Sequence, residues 1–120
     1  MNKMKNIISM LALASVSITL VGCATHQHKS LYGWGSYQEQ VYKRFKAEGS
    51  PEEQIASLEE GLQKMSAANE SVPPGYHAHL GMLYAETGRD SQMVQELNAE
   101  KTLFPESASY MDFLMRKYKN

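Results

Sequence analysis

The chain is poor in several things that would announce a chemistry. It has a single cysteine, Cys23, in 120 residues, which excludes an internal disulfide framework and any zinc site built on paired thiolates. It lacks an excess of positive charge: the formal net charge is −1, and loss of Lys3 and Lys5 with a leader takes the remainder to −3. A nucleic-acid binder needs a basic patch to neutralise phosphates, so that class falls away. No alternating apolar run is long enough to suggest a strand. Neither a Gly-x-Ser-x-Gly elbow nor a Ser-x-x-Lys motif occurs, and no catalytic residue, metal or cofactor is expected.

What is present begins with a leader. Lys3 and Lys5 precede an uncharged apolar stretch from Ile7 to Val21, the charged-then-apolar order of a secretory signal. At about 15 residues it is shorter than the roughly 20 that a permanent membrane helix needs. It ends in Leu20-Val21-Gly22-Cys23, which resembles the bacterial lipobox, with Cys23 as the lipid acceptor. Residues 1–22 are therefore expected to be a removed signal peptide and 23–30 a lipidated (palmitate-bearing) cysteine with its tether. Two or more acyl chains hold a protein firmly on a membrane where one is marginal. Ala24 follows the cysteine, where inner-membrane lipoproteins commonly have Asp, so the expected destination is the outer membrane, facing the periplasm. In the tether, His26 and His28 lack third and fourth ligands nearby and do not make a metal site.

Residues 31–120 are expected to form one domain. Leu31-Tyr32-Gly33-Trp34-Gly35 sets two large aromatics among glycines just before a helix start. Tyr32 and Trp34 can fold back over the helices or, with Tyr37, offer a partner the aromatic anchors that dominate interfaces. Ser36-x-x-Glu39 has capping-box spacing for a first helix with an apolar stripe of Tyr37, Val41, Tyr42 and Phe45, ended by Gly49. Ser50-Pro51-x-Glu53 opens a second, burying Ile55, Leu58, Leu62 and Met65. Pro73-Pro74-Gly75 precedes a third, with Tyr76, Leu80, Leu83 and Tyr84 inward and Gly88 at its stop. Asp90 is placed to cap a fourth, carrying Met93, Val94, Leu97 and Leu103. Pro105 ends it, and Ser107 opens a fifth with Tyr110, Met111, Phe113 and Leu114 inward. The adjacent carboxylates Glu52/Glu53 and Glu59/Glu60 read as a helix N-terminus and a solvated face. The fold class is all-α, a compact bundle of about five helices.

Leu80-Gly81, Tyr84, Gly88, Leu97 and Pro105 match tetratricopeptide spacing, in which a small residue lets paired helices cross closely. Met93 and Glu100 stand where that pattern has small residues. Gly61, Met65, Ala68 and Pro73 fit half of a second, degenerate unit, with the last helix as a cap. His77 is expected at a core-facing position; His79, two residues on, points elsewhere and cannot share a metal with it. Such repeats bind peptides or protein surfaces and have no intrinsic catalysis.

Leu31 to Tyr37, Pro74-Gly75-Tyr76-His77-Ala78-His79-Leu80-Gly81-Met82-Leu83-Tyr84 and Glu100-Lys101-Thr102-Leu103-Phe104-Pro105-Glu106-Ser107 together resemble a family of small proteobacterial lipoproteins, number 4810 among the domains of unknown function. Members are typically encoded beside a lipoprotein similar to the curli secretion subunit CsgG. The resemblance implies an accessory subunit of a CsgG-like outer-membrane assembly. The lack of a reactive constellation makes an enzyme unexpected, the lipid anchor supplies the membrane, and too few repeats for independent stability point to a protein partner or self-association. The alternatives are a periplasmic envelope-modifying enzyme and a purely structural lipoprotein.

Overall fold

The structure, a computed structural model, describes residues 1–7 and 30–118. From Leu31 onward it is helical: α1 Tyr37–Phe45, α2 Pro51–Ala67, α3 Tyr76–Glu86, α4 Asp90–Leu103, a 3-10 turn Pro105–Ser107 and α5 Ala108–Tyr118. No strand forms among the described residues; one parallel bridge joins Tyr32 to Ser71. The all-α expectation holds, and each helix packs mainly on its neighbours in chain order, α3 on α4 most extensively.

Local chemistry sets most of these boundaries. The Ser50 hydroxyl accepts from the Glu53 N–H while the Glu53 carboxylate accepts from the Ser50 N–H, and Pro51 fills the first helical position. That capping box satisfies donors left open at the start of α2. At its other end Asn69 takes φ +53, a left-handed stop that asparagine tolerates. Gly88, at φ +72, closes α3.

The core consists of Ile55, Leu58 and Met65 from α2, Tyr76, Ala78, Leu80, Leu83 and Tyr84 from α3, Met93 and Leu97 from α4, and Met111 and Leu114 from α5. Two glycines allow the closest helix approaches. A Cβ on Gly81 would lie 3.0 Å from Leu97 Cδ2, so α3 and α4 approach closely here. A Cβ on Gly61 would lie 2.3 Å from the Tyr76 hydroxyl, which donates to the Leu58 carbonyl at 2.7 Å inside the core. Burial pushes that phenol up to about 12, so it remains a donor at any ordinary pH.

Several expectations need correction. Ser36 does not cap α1: its backbone sits at φ −89, ψ 2, already close to helical rather than extended. Its hydroxyl instead meets Ser57 Oγ at 2.9 Å, and Gln40 Nε2 donates to the same oxygen at 3.1 Å. These bonds roll α1 so that Gln40 is its buried residue, while Tyr42 and Phe45 are 57% and 86% exposed. The helix ends at Phe45, before a left-handed Ala47, not at Gly49. Asp90 begins α4 without making a side-chain cap. Leu103, at the end of α4, and Tyr110 and Phe113 on α5 are at least half exposed; α5 rests chiefly on α4, and one neighbour cannot cover four apolar positions out of the five from Tyr110 to Leu114. Glu59 is not simply solvated, since it accepts a hydrogen bond from the Tyr84 hydroxyl.

Gly61→Ala tests the Tyr76 contact. The added methyl evicts the phenol from its carbonyl and should lower unfolding free energy by about 1 to 2 kcal/mol in urea denaturation, even after the helix-propensity gain. In a Tyr76→Phe background the same change should be neutral or stabilising by up to about 1 kcal/mol.

Candidate functional site

Two features sit side by side: the aromatic row leading into α1, and a groove between α1 and α3. The row starts where the chain crosses α2. Gly33 N–H donates to the Ser71 carbonyl at 2.9 Å, and a Cβ on Gly33 would lie 2.5 Å from both Met65 Cγ and Glu70 Oε2. A side chain there would have to displace the ends of Met65 and Glu70. Its flanking aromatics then meet other rings. Tyr32 makes edge contacts with Phe104 at 6.5 Å and Trp34 at 6.1 Å, and Trp34 stacks on Tyr37 at 6.4 Å and 14°. Tyr37 continues to Tyr76 at 5.0 Å and His79 at 6.1 Å.

All three predicted anchor residues, Tyr32, Trp34 and Tyr37, are thus joined in one row that folds back over the helices. Tyr32 and Tyr37 are half-buried, while Trp34 keeps 39% of its surface. Burial, with the Glu100 carboxylate adding to it, raises the Tyr37 phenol above its ordinary range. That hydroxyl lies 2.7 Å from where a Cβ on Gly75 would be, and Gly75 has φ +86, so this turn demands glycine twice over.

Glu100 explains how the turn is held. It is 2% exposed, and its carboxylate accepts from the N–H groups of Gly75 at 2.6 Å and Ala78 at 3.3 Å. A buried carboxylate here satisfies open donors at the positive end of α3. The position that departs from the repeat pattern therefore reaches back within its own helix pair.

Beyond Tyr37 the groove has a volume of about 780 Å³ and is walled by apolar groups of Tyr37, Val41, Phe45, Ala78 and Met82. Arg44 and Glu86 bridge α1 and α3 through two hydrogen bonds, one of 2.8 Å. This pairing holds Glu86 below the usual carboxylate range. Two polar side chains also line the groove, Gln54 at 4% and His79 at 5% exposure. Gln54 Nε2 donates to the Glu48 carbonyl at 3.4 Å, whereas Gln54 Oε1 and His79 Nε2 are buried without any partner.

The core histidine is therefore His79, not His77. His77 is half-buried, with Nδ1 2.6 Å from Glu96 Oε2. Helical period shows why: His79 and Leu80 lie three and four residues after Tyr76 and share its stripe, while His77 turns toward α4. That spacing was available in the sequence; the roles of Gln54 and Glu100 were not, because both depend on tertiary placement. Among the described residues no group of three or more His, Cys, Asp and Glu could hold a metal ion, and no helix is long and apolar enough to cross a membrane. Cys23, the leader beyond Ile7 and the tether with His26 and His28 lie outside the described residues.

A family model described as Domain of unknown function (DUF4810) matches residues 31–114, the span from the start of the aromatic row to the last buried leucine of α5. The chain belongs to this family. No curated protein and no solved structure matches it. The match begins at Leu31, so the DUF4810 domain includes the aromatic row as well as the helices.

The groove gives this DUF4810 domain a pH dependence. Burial pushes His79 down to about 4 from 6.5, with Arg44 adding to the fall and Glu86 opposing it. The unfolded chain takes up a proton near 6.5 that the folded chain refuses until about 4, so stability falls on acidification through that window. The loss should be on the order of 2 kcal/mol. Glu86 contributes its own loss only at lower pH, where Arg44 no longer holds a carboxylate. Urea melts across this range should show the slope in the native chain and a shallower one in His79→Phe.

Proposed function

We propose that this chain is a lipoprotein anchored through Cys23 in the outer membrane, facing the periplasm, whose helical domain binds a protein partner. The single observation that carries the anchor is Leu20-Val21-Gly22-Cys23 at the end of a charged-then-apolar leader. The partner reading is supported by apolar groups the helices leave uncovered: Trp34, Phe45, Leu103, Tyr110 and Phe113 are each between 39% and 86% exposed. A domain this small seldom leaves so many large apolar side chains in water without a surface to meet. Gly81 against Leu97 supports a tetratricopeptide-like pair, a scaffold that binds proteins through its faces. Family resemblance suggests the partner, a CsgG-like lipoprotein of an outer-membrane assembly.

The test is chemical and direct. In the native host, metabolic labelling with a palmitate analogue should mark the wild-type chain and leave Cys23→Ala unmarked. Intact mass should show loss of residues 1–22 and gain of acyl groups. Mild-detergent extraction should recover the CsgG-like lipoprotein with the acylated chain. An unlabelled chain that retains its leader would overturn the anchor, and recovery of no partner would overturn the binding role.

A further inference from the structure

A buried polar atom without a partner carries a free-energy cost, and native proteins keep few of them. Two residues that line the groove between α1 and α3 carry one each, Gln54 Oε1 and His79 Nε2, both sealed from solvent on side chains 4% and 5% exposed. Gln54 is fixed in this orientation because its Nε2 is committed to the Glu48 carbonyl. His79 is held by the Tyr37 ring on one side. Around them the walls are apolar, from Val41, Phe45 and Met82. An apolar cleft with a small number of fixed polar groups is the usual form of a binding site.

The chemistry of those two atoms discriminates among occupants. An acyl chain has no donor or acceptor and would leave both atoms as they are. A helical peptide uses its mid-helix backbone groups internally and meets these atoms only through its ends or a polar side chain, not along its length. An extended peptide carries a free N–H and C=O on each residue, so once α1 shifts to uncover the two atoms it can donate to Gln54 Oε1 and pair with His79 Nε2 in either tautomer. Length agrees: the lining runs along α3 from Gly75 to Glu86, about 16 Å, which is the span of about five extended residues.

We infer that this groove is a docking site for an extended, apolar peptide segment of a protein partner, read through main-chain hydrogen bonds to Gln54 and His79 with one bulky side chain between Val41, Phe45 and Met82. This inference rests on the partner-binding reading above and assigns that role to one site. It makes α1 the movable wall, since Phe45 is 86% exposed at the rim and α1 meets α3 through Tyr37 and the Arg44–Glu86 pair.

The probe is the capped pentapeptide N-acetyl-Leu-Thr-Phe-Thr-Leu-amide, titrated into the purified full chain in detergent while the His79 ring and Met82 methyl signals are followed by NMR. Saturable shifts of both are expected. The same peptide methylated on its backbone nitrogens should bind about tenfold more weakly or worse, as should the native peptide to His79→Phe and Gln54→Met. Thermal melts of these variants should stay at or above the native midpoint, showing that they fold. The proposal is overturned if no saturable shift develops at millimolar peptide, if the methylated peptide binds equally well, or if palmitate saturates the groove and the peptide does not. Undiminished recovery of a protein partner by His79→Phe would also overturn it, while leaving the partner-binding reading in place.

Discussion

The buried carboxylate of Glu100 is the contact on which the rest of the domain depends. It sits on α4 yet terminates the backbone of α3, accepting from the Gly75 and Ala78 N–H groups. A helix begins with four N–H groups that lack partners, and α3 begins after Pro73-Pro74 with a left-handed glycine that has no side chain to cap it. Glu100 supplies the cap from across the helix pair. Through that bond the start of α3 is fixed on α4, Tyr76 is aimed at Gly61, and Gly75 is set against the Tyr37 hydroxyl. The aromatic row and one end of the groove are therefore built on one carboxylate.

Most of the helical frame was legible because local rules decide it. Ser50, Pro51 and Glu53 make a capping box from adjacent residues, and no distant contact competes with it. The α3 stripe and the close approach at Gly81 follow from period and side-chain volume. Where reading the sequence failed, a tertiary partner had taken over the residue. Ser36 found Ser57 in place of its own helix, and that bond turned Tyr42 and Phe45 outward. Glu100 looked like a defect in a repeat and is a cap. The two histidines were exchanged because His77 stands at a repeat position, whereas the stripe set by Tyr76, Leu80 and Leu83 includes His79.

The aromatic row and the groove share Tyr37, which ties the segment following the proposed anchor to the proposed docking site. Chain leaving the tether meets Ser71 through Gly33, crosses to Tyr37 by ring contacts, and becomes α1, the outer wall of the groove. A pull or a contact at Trp34 is thus applied to a ring that touches His79. Few other bonds fix α1: Ser36 and Gln40 to Ser57, and Arg44 to Glu86. Elements held by few contacts are the ones that open at low cost, which suits the proposed role of α1 as a wall that admits a peptide.

Replacing Glu100 by Leu keeps the bulk near the site and removes the acceptors, so denaturation and amide hydrogen exchange of this one variant test whether the cap governs the fold. The expected result is a loss of about 2 to 4 kcal/mol in unfolding free energy, with the Gly75 and Ala78 amides losing protection first and the Tyr37 ring signals shifting with them. A variant as stable as the native chain, with those two amides equally protected, would contradict it.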